Sequence, residues 1–330
     1  MSLINKKDNI FIAGHKGMVG SAIVREFKKK GYPNLQLPSR EELDLLDSQS
    51  VEGWFKKKKP EVVILAAAKV GGINANSKYP GDFILENLKI QTNVIENAWK
   101  NNVKRFLFLG SSCIYPKFAS QPLKEEYLLT GSLEITNEPY ALAKIAGIKL
   151  CASLKEQYGF DAISLMPTNL YGPGDNYHKT NSHVLPALIN KFYEAKIENK
   201  SEVICWGSGT AKREFLYVND LAEATLYMLE NVSSKNKLIS DNELNPYGII
   251  NIGCGNDITI KELAYIISKK VNYNGEINWD LSKPDGTPRK LLDISKAKNL
   301  GWKPRTNLDE GIEKTLKIYK KGLKDKTIRF

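Results

Sequence analysis

Long apolar runs are absent from this chain of 330 residues, in which the longest purely apolar stretch is Val62–Ala68. A helix needs about 20 apolar residues to cross a bilayer, so no membrane span is predicted. The segment from Met1 to Asp8 lacks the apolar stretch of a signal peptide. Hydrophobic residues still make up 42% of the chain, which is enough for a large core or for two modest ones. We therefore expect a folded globular protein.

Cysteine and histidine are also scarce. The chain has four cysteines and three histidines, with no CxxC and no spacing typical of metal ligands. Neither a disulfide framework nor a metal site is predicted, and these features fit a protein of the reducing cytoplasm. The cysteines are Cys113, Cys151, Cys205 and Cys254.

Acidic residues are outnumbered, because 48 Lys and Arg stand against 37 Asp and Glu for a net charge of +11. This charge has two interpretations. It could attract a phosphorylated molecule or a polyanion, or it could reflect a lysine-rich surface that keeps the protein soluble. The basic clusters Lys28–Lys30 and Lys56–Lys59 fall at predicted helix ends, where they complement the helix dipole. No basic patch is interleaved with aromatics, so we favour solubility for these clusters and expect no nucleic-acid partner.

Short apolar runs alternate with amphipathic stretches in the first half of the chain. Helices are predicted over about 18–30, over about 80–101 and from about 139, and the texture changes after about Asn169. The alternation predicts an α/β fold with a Rossmann-type doubly wound parallel sheet, followed by a smaller region packed against it. The predicted buried strands are Ile10–Ala13, Val62–Leu65, Phe106–Leu109, Ala162–Leu165 and Gly248–Ile252.

A glycine-rich loop lies between the first predicted strand and the first predicted helix. Its GxxGxxG pattern permits a tight turn and lets backbone N–H groups approach a pyrophosphate at the helix N-terminus. A glycine-rich turn can arise by chance, but this context favours a dinucleotide site. The loop is Gly14, His15, Lys16, Gly17, Met18, Val19 and Gly20.

No Asp or Glu stands at the tip of the second predicted strand, where an NAD enzyme places an acid for the ribose hydroxyls. The stretch there ends in Pro38, Ser39 and Arg40. A 2′-phosphate carries nearly two negative charges, which Arg40 and Lys16 could clamp, so we favour NADP(H). The alternative is that Arg40 pairs with Glu41 or Glu42 on the surface.

A YxxxK pattern places Tyr140 and Lys144 on one face of a predicted helix. A nearby ammonium favours the phenolate, so we expect the pKa of Tyr140 to lie below its ordinary value of about 10. Such a phenol can protonate an alkoxide or deprotonate an alcohol. The pattern also occurs on ordinary helices, and it gains weight here from the glycine loop upstream.

Ser111 and Cys113 directly follow the predicted strand Phe106–Leu109. Ligands bind at the carboxyl ends of parallel strands, and a serine there can stabilise a developing oxyanion. We expect an extended segment in which Ser111 and Cys113 point to the same side. The alternative for Cys113 is a small buried apolar residue.

These motifs resemble the GDP-L-fucose synthase family of extended short-chain dehydrogenases/reductases, over nearly the whole chain. The family carries out NADPH-dependent reduction of the C4 ketone of a GDP-4-keto-6-deoxy sugar, with epimerisation at C3 and C5. The matching segments are GHKGMVGSAIVRE, LAAAKVGGINAN, FLGSSCIYP, NEPYALAKIAGIKLC, MPTNLYGPGDN, NSHVLPAL, WGSGTAKREFLYV and SKPDGTPRKLLD.

The resemblance implies a division of labour among five residues. Ser111, Tyr140 and Lys144 form the reductase triad. Cys113 and His183 are the base and acid that invert C3 and C5. This chemistry is coherent, because a C4 ketone acidifies the neighbouring C–H groups and the oxyanion site also stabilises the enolate. The histidine could otherwise be a structural residue.

The resemblance also implies the binding residues. Lysines stand at positions 16 and 191, where family members often have arginine, and these departures concern the fine cofactor preference and the diphosphate contact. The substrate residues are Lys191, Trp206, Arg213 and Asp285. The cofactor residues are the glycine loop with Arg40, Asp44, Leu45, Leu109, Gly110, Ser112, Pro167, Thr168, Asn169 and Leu170.

The family organisation implies an NADP-binding domain over residues 1–170 and a mostly GDP-sugar-binding domain over 171–330. Segments near 214–232 and 248–256 return to the first domain. The helices near Pro80–Asn101 and Pro139–Gln157 carry more apolar surface than one sheet face needs, and the resemblance implies that this pair forms the interface of a homodimer.

Alternative functions remain open. A nucleotide-sugar 4,6-dehydratase would need an acidic pair where Ser112 and Cys113 stand, and a C4-epimerase with permanently held NAD would need an acid at the second strand tip. A C4-reductase without epimerase activity, acting on a related GDP-4-keto-6-deoxy sugar such as a heptose, uses the same residues. A non-catalytic NADP-binding protein would not need all five catalytic candidates.

Overall fold

The protein is described by a computed structural model over residues 2–179, 182–240, 247–283 and 285–330. Asn181 and Pro284, which belong to two of the motifs quoted above, lie outside the described residues. The strands are β1 Ile10–Ala13, β2 Leu35–Gln36, β3 Val62–Leu65, β4 Arg105–Leu109, β5 Ala162–Pro167, β6 Asn169–Tyr171, β7 Glu202–Trp206, β8 Lys212–Tyr217, β9 Ile249–Ile252, β10 Asp257–Thr259, β11 Glu276–Asp280 and β12 Arg289–Lys290.

The helices are α1 Met18–Lys29, α2 Ser48–Lys58, α3 Ile73–Lys78, α4 Pro80–Lys100, α5 Glu138–Tyr158, α6 Val184–Ile197, α7 Val218–Asn231, α8 Lys237–Ser240, α9 Ile260–Val271, α10 Ser295–Asn299 and α11 Leu308–Lys324. Two short 3₁₀ helices, Ser112–Ile114 and Glu125–Tyr127, follow β4.

Over the described ranges, six strands form a parallel sheet in the order β2-β1-β3-β4-β5-β9. The fold class is the one predicted from the alternation of apolar runs and amphipathic stretches. The central strands are buried on both faces, so they contain almost only apolar residues, and the apolar run at Val62–Leu65 matches β3 without a shift. The order reverses between β1 and β3, and ligands of such sheets bind at that reversal.

One hydrophobic core lies on each face of this sheet. Phe55, Ile95 and Ile148 bring α2, α4 and α5 onto one face, whereas Ile23 and Leu221 bring α1 and α7 onto the other. The predicted start of α5 at Pro139 is correct to one residue, because proline loses no hydrogen bond in the first turn. The helix ends where Gly159 adopts a φ of +71°, a conformation that suits glycine.

A third core lies outside the main sheet and joins residues from 171 onward, among them Phe192, Leu263 and Leu316. A second sheet has the order β10-β8-β12, and β6 also pairs with β8. In this sheet Lys290 on β12 stands beside Arg213 on β8. The later strand β9 and helix α7 nevertheless pack with the first region, through β5 and α1.

No helix of the described residues is both long and apolar enough to cross a membrane.

Candidate active site

The glycine loop joins β1 to α1 with almost no space for side chains. Gly14 has a φ of +85°, and a Cβ there would lie 2.7 Å from the Cα of Ala67. A Cβ on Gly20 would lie 2.1 Å from the carbonyl oxygen of Gly14. Helix α1 begins at Gly17 without a side-chain cap and without an acidic residue in its first turn. The free N–H groups and the positive end of the helix dipole therefore fit a pyrophosphate.

Lys16 and Arg40 converge on the loop after β2. The pKa of the Glu41 carboxyl is lowered first by a hydrogen bond with Ser39 and further by the charges of Lys16 and Arg40. Both cations are exposed. The neighbouring Glu42 carboxylate accepts the backbone N–H of Ser39 at 2.7 Å. Two cations that both act on Glu41 at this position fit a ribose 2′-phosphate.

The remaining predicted cofactor residues lie at the ends of the sheet strands. Asp44 and Leu45 lie in the loop after β2, where the Leu45 carbonyl accepts the side-chain amide of Asn93 at 2.9 Å. The N–H of Gly110 donates to the Leu165 carbonyl at 2.9 Å, which joins the ends of β4 and β5. The other members along the same carboxyl edge are Leu109, Ser112, Pro167, Thr168, Asn169 and Leu170.

Tyr140 and Lys144 lie on the first turns of α5, and the Lys144 ammonium is 5.8 Å from the centre of the Tyr140 ring. The ammonium donates a hydrogen bond to the Leu109 carbonyl at 2.8 Å. Burial raises the pKa of Tyr140, the charge of Cys113 adds to this rise, and a hydrogen bond with Ser111 opposes it. Burial lowers the pKa of Lys144 to about 7.

The expected lowering of the Tyr140 pKa is therefore wrong for this structure. The i, i+4 spacing does bring the two side chains together, but burial acts on both groups and disfavours each charged form. The Lys144 ammonium is directed to Leu109, and burial lowers its own pKa to about 7, which weakens its effect on Tyr140. Tyr140 is consequently a neutral phenol, which is a proton donor.

Ser111 and Cys113 do not lie on an extended segment, so that expectation is also wrong. The chain turns into a 3₁₀ helix over Ser112–Ile114, with Ser111 as its N-cap. The Ser111 hydroxyl accepts the backbone N–H of Cys113 at 3.2 Å. Both side chains nonetheless act on Tyr140, one through a hydrogen bond and the other through its charge.

A lysine that the sequence patterns did not single out completes this group. The Lys290 ammonium lies 3.4 Å from the Sγ of Cys113. His183 is the N-cap residue of α6, and it keeps a solvent-exposed surface although surrounding residues desolvate its ring. Desolvation lowers the pKa of His183, and the charge of Lys290 lowers it further. The motif SKPDGTPRKLLD pointed to this segment, but no local pattern indicated a contact with a cysteine 177 residues away.

The predicted substrate residues lie in the second region of the chain: Lys191 on α6, Trp206 on β7, Arg213 on β8 and Asp285 between β11 and β12. Arg213 donates to the backbone oxygen of Asp285 at 3.3 Å, and the Asp285 carboxylate accepts the N–H and the hydroxyl of Ser208, each at 2.8 Å. Trp206 is 53% exposed at the end of β7. The Lys191 ammonium donates to the Ile204 carbonyl at 2.7 Å.

Comparison with known proteins gives consistent matches. The family model for the NAD dependent epimerase/dehydratase family matches residues 10–253. GDP-L-fucose synthase 1 of Arabidopsis thaliana is 53% identical over 322 residues, which cover 98% of this chain and 96% of that protein.

Two solved structures from Campylobacter jejuni are similar along the whole chain. A GDP-6-OMe-4-keto-L-xylo-heptose reductase is 41% identical with a TM-score of 0.90, over 96% of this chain and 99% of that chain. A GDP-mannoheptose C4 reductase with NADP bound is 39% identical with a TM-score of 0.87, over 96% of this chain and 99% of that chain.

These similarities confirm the fold class and the resemblance that the sequence motifs indicated. The chain belongs to the NAD dependent epimerase/dehydratase family, in the branch that contains the GDP-L-fucose synthases.

Proposed function

We propose that this protein reduces the C4 ketone of a GDP-4-keto-6-deoxy sugar with NADPH and epimerises C3 and C5 through an enolate, giving GDP-L-fucose or a close analogue. The observation that carries this proposal is that the Lys144 ammonium lies 5.8 Å from the centre of the Tyr140 ring and donates to the carbonyl of Leu109, two residues before Ser111 and four before Cys113. Tyr140, a proton donor, thus lies near the Ser111 hydroxyl, which can stabilise an oxyanion, and the Cys113 thiol, which can take a proton as its thiolate. The relative that is 53% identical is a GDP-L-fucose synthase.

The reduction needs a proton donor at the C4 oxygen. NADPH supplies the hydride when it is bound, and the bound NADP of the similar C4 reductase supports this cofactor. Tyr140 gives its proton to the C4 oxygen, and its raised pKa keeps it protonated at neutral pH. Ser111 donates a hydrogen bond to the same oxygen, and Lys144 holds α5 to the end of β4 through the Leu109 carbonyl.

The epimerisation uses the groups beside this oxyanion site. Removal of the proton on C3 or C5 gives an enolate whose charge rests on the C4 oxygen, so Ser111 and Tyr140 stabilise it in the same way. The Cys113 thiolate takes the proton on one side of the sugar. His183 returns a proton on the other side of the sugar.

The nucleotide part of the substrate is assigned to the second region of the chain. Arg213 supplies a cation for the diphosphate, and Trp206 offers an exposed ring for the guanosine. The Asp285 carboxylate accepts the N–H of Ser208, and the Asp285 backbone oxygen accepts a hydrogen bond from Arg213. Lys191 contacts the diphosphate only after leaving the Ile204 carbonyl, and it does so as a single charge without bidentate geometry.

A second candidate function is reduction at C4 without epimerisation, on a heptose. It is favoured by the similarity to a GDP-heptose reductase at 41% identity and a TM-score of 0.90. The same Ser111, Tyr140 and Lys144 would carry out this reaction.

Turnover in D₂O separates the two functions. The enzyme is incubated with GDP-4-keto-6-deoxymannose and NADPH, and the product is analysed for deuterium at C3 and C5. We expect label at both carbons, and Cys113→Ser should lose label more than it loses reduction. Reduction without label would favour the second candidate, and no NADPH consumption with either a hexose or a heptose substrate would contradict both.

We also propose the molecular organisation. The division into residues 1–170 and 171–330 is supported by the separate third core, with α7 and β9 returning to the first region. A homodimer through α4 and α5 is supported by Leu85 and Leu142, which are 55% and 43% exposed on these helices. Cytoplasmic localisation is supported by four cysteines that are all free.

A further inference from the structure

We propose that Lys290 stabilises the thiolate of Cys113 and fixes its direction, so that this lysine is a positioning residue for the epimerase half of the reaction. The inference rests on the proposed function, in which Cys113 is the base. Its basis is the hydrogen bond of 3.4 Å between the Lys290 ammonium and the Cys113 sulfur. The thiolate, and not the thiol, is the form of cysteine that removes a proton, and a neighbouring cation favours it.

The backbone around Lys290 is held on both sides. On one side, β12 pairs with β8 in the second sheet, and Lys290 stands opposite Arg213 in the strand register. The N–H of Leu291 donates to the side-chain oxygen of Gln121 at 2.9 Å, and the N–H of Leu292 donates to a carboxylate oxygen of Glu214 at 3.0 Å. An ammonium on a segment anchored in this way is restricted in where it can reach.

The buried Glu214 carboxylate anchors the segment that carries Lys290. Glu214 is fully buried. One of its carboxylate oxygens accepts the N–H of Leu292, and the other accepts the N–H of Gly255 at 2.6 Å. A buried carboxylate is costly unless its oxygens are hydrogen-bonded. The amides of Gly255 and Leu292 meet part of that need, so Glu214 ties the loop that contains Gly255 to the segment that contains Leu292.

Other charged groups face Cys113 from the elements around it. Cys113 acts to raise the pKa of both Arg213 on β8 and Tyr140 on α5, so both groups lie near its sulfur. Glu134 and Arg289 line the same cleft. Arg289 is paired with Asp257 at 2.5 Å, and Arg213 donates to backbone oxygens. Lys290 is the cation in direct contact with the sulfur.

The same cation also acts on the second epimerase group. The charge of Lys290 lowers the pKa of His183 in addition to the effect of desolvation. One positive charge therefore favours the ionised form of the base and the readier proton release of the acid. In the step itself the C–H bond breaks, an S–H bond forms on Cys113, and the electron pair moves to the C4 oxygen as the enolate. Lys290 takes no part in the proton transfer.

The experiment measures the alkylation rate of Cys113 by iodoacetamide at pH 7 in the intact enzyme, resolved by peptide mass spectrometry. Lys290→Met should slow alkylation about tenfold, because an opposite charge in contact changes the ionised fraction by this order. Lys290→Arg should restore the rate to within about threefold of the wild type. Lys117→Met is the matched control, since it removes a charge from the same cleft, and it should leave the rate unchanged.

Turnover in D₂O gives the second measurement. Lys290→Met should lose deuterium at C3 and C5 at least about tenfold more than it loses C4 reduction. An unchanged alkylation rate would overturn the proposal, as would an equal loss of label and reduction with a raised KM, which is the result for a residue that only binds the diphosphate. If Lys290→Met does not bind NADPH as a folded enzyme, Lys290→Gln takes its place.

Failure of the proposed function gives a different result. If Cys113→Ser epimerises normally, Cys113 is not the base. Dependence of Cys113 alkylation on Lys290 would then still support the thiolate contact, and only its epimerase role would be overturned.

Discussion

The Lys144 ammonium lies 2.8 Å from the carbonyl oxygen of Leu109. This bond joins the first turns of α5 to the last residue of β4, two residues before Ser111. Because one end of the bond is on α5 and the other is on β4, it fixes the position of Tyr140 relative to Ser111. The lysine is buried to 3% exposure, so the contact carries a cost in ionisation that can be measured.

Replacement of Lys144 by Met is expected to change the pH dependence of stability. Burial lowers the pKa of Lys144 to about 7, whereas an unfolded lysine titrates near about 10.4. Between these values the unfolded chain binds a proton that the folded chain does not, so the wild type loses stability as the pH falls from about 10 to about 7, and no more below 7.

We compare the free energy of unfolding of the wild type with that of Lys144→Met. The wild-type value minus the variant value should decrease by up to about 1.4 kcal/mol for each unit by which the pH is lowered in this window. Urea unfolding at several pH values measures it. Lys149→Met, on the same helix, is the control. A difference that stays constant across the window would show that Lys144 titrates normally.

Replacement of Tyr140 by Phe is expected to lower the rate of C4 reduction by about 10²- to 10⁴-fold, because the C4 oxygen loses its proton donor. NADPH binding, followed by its fluorescence, should be unchanged. Tyr158→Phe is the control on the same helix, since Tyr158 is 53% exposed and packs on Trp99 with ring centres 4.6 Å apart. Full reductase activity in Tyr140→Phe would refute the assigned role.

Replacement of Arg40 by Ala is expected to weaken NADPH binding by about 10-fold or more, through loss of a charge-assisted contact to the 2′-phosphate. NADH binding should change little, because NADH has no such phosphate. Titration of both cofactors measures the effect, and Lys30→Ala serves as a control of equal charge change. Equal weakening of NADPH and NADH would mean that Arg40 acts on the fold of the loop.

Replacement of Gly20 by Ala is expected to destabilise the protein by about 2 kcal/mol or more, because the new Cβ would lie 2.1 Å from the Gly14 carbonyl oxygen. Gly53→Ala is the matched control within a helix, since nothing lies within 4 Å of a Cβ there. It should stabilise by about 0.5–1 kcal/mol. Chemical denaturation measures both, and an unchanged Gly20→Ala would contradict tight packing of the loop on α1.

Replacement of Leu142 by Glu is expected to convert the proposed homodimer into a monomer, because it places a charge in the apolar surface of α4 and α5. Sedimentation velocity measures the mass. Ile197→Glu, at the end of α6 and 61% exposed, should leave the mass unchanged. A dimer that survives Leu142→Glu would exclude this face as the interface.

Much of the first region is readable from local patterns. The apolar runs at Ile10–Ala13 and Val62–Leu65 coincide with β1 and β3, since a strand buried on both faces must be apolar throughout. The glycine spacing at Gly14–Gly20 predicted a close packed turn, and the structure shows why a Cβ cannot enter it. These are properties of neighbours along the chain.

The charge states of the site residues and the directions of their side chains depend on residues that are far apart in the chain. The spacing of Tyr140 and Lys144 predicted their contact correctly but the shift of the Tyr140 pKa wrongly, because burial comes from the elements packed around α5. The approach of Lys290 to Cys113 joins residues 177 positions apart. Local spacing encodes which groups are present and which face they share, whereas desolvation and long-range contacts arise only when the sheets and helices close around them.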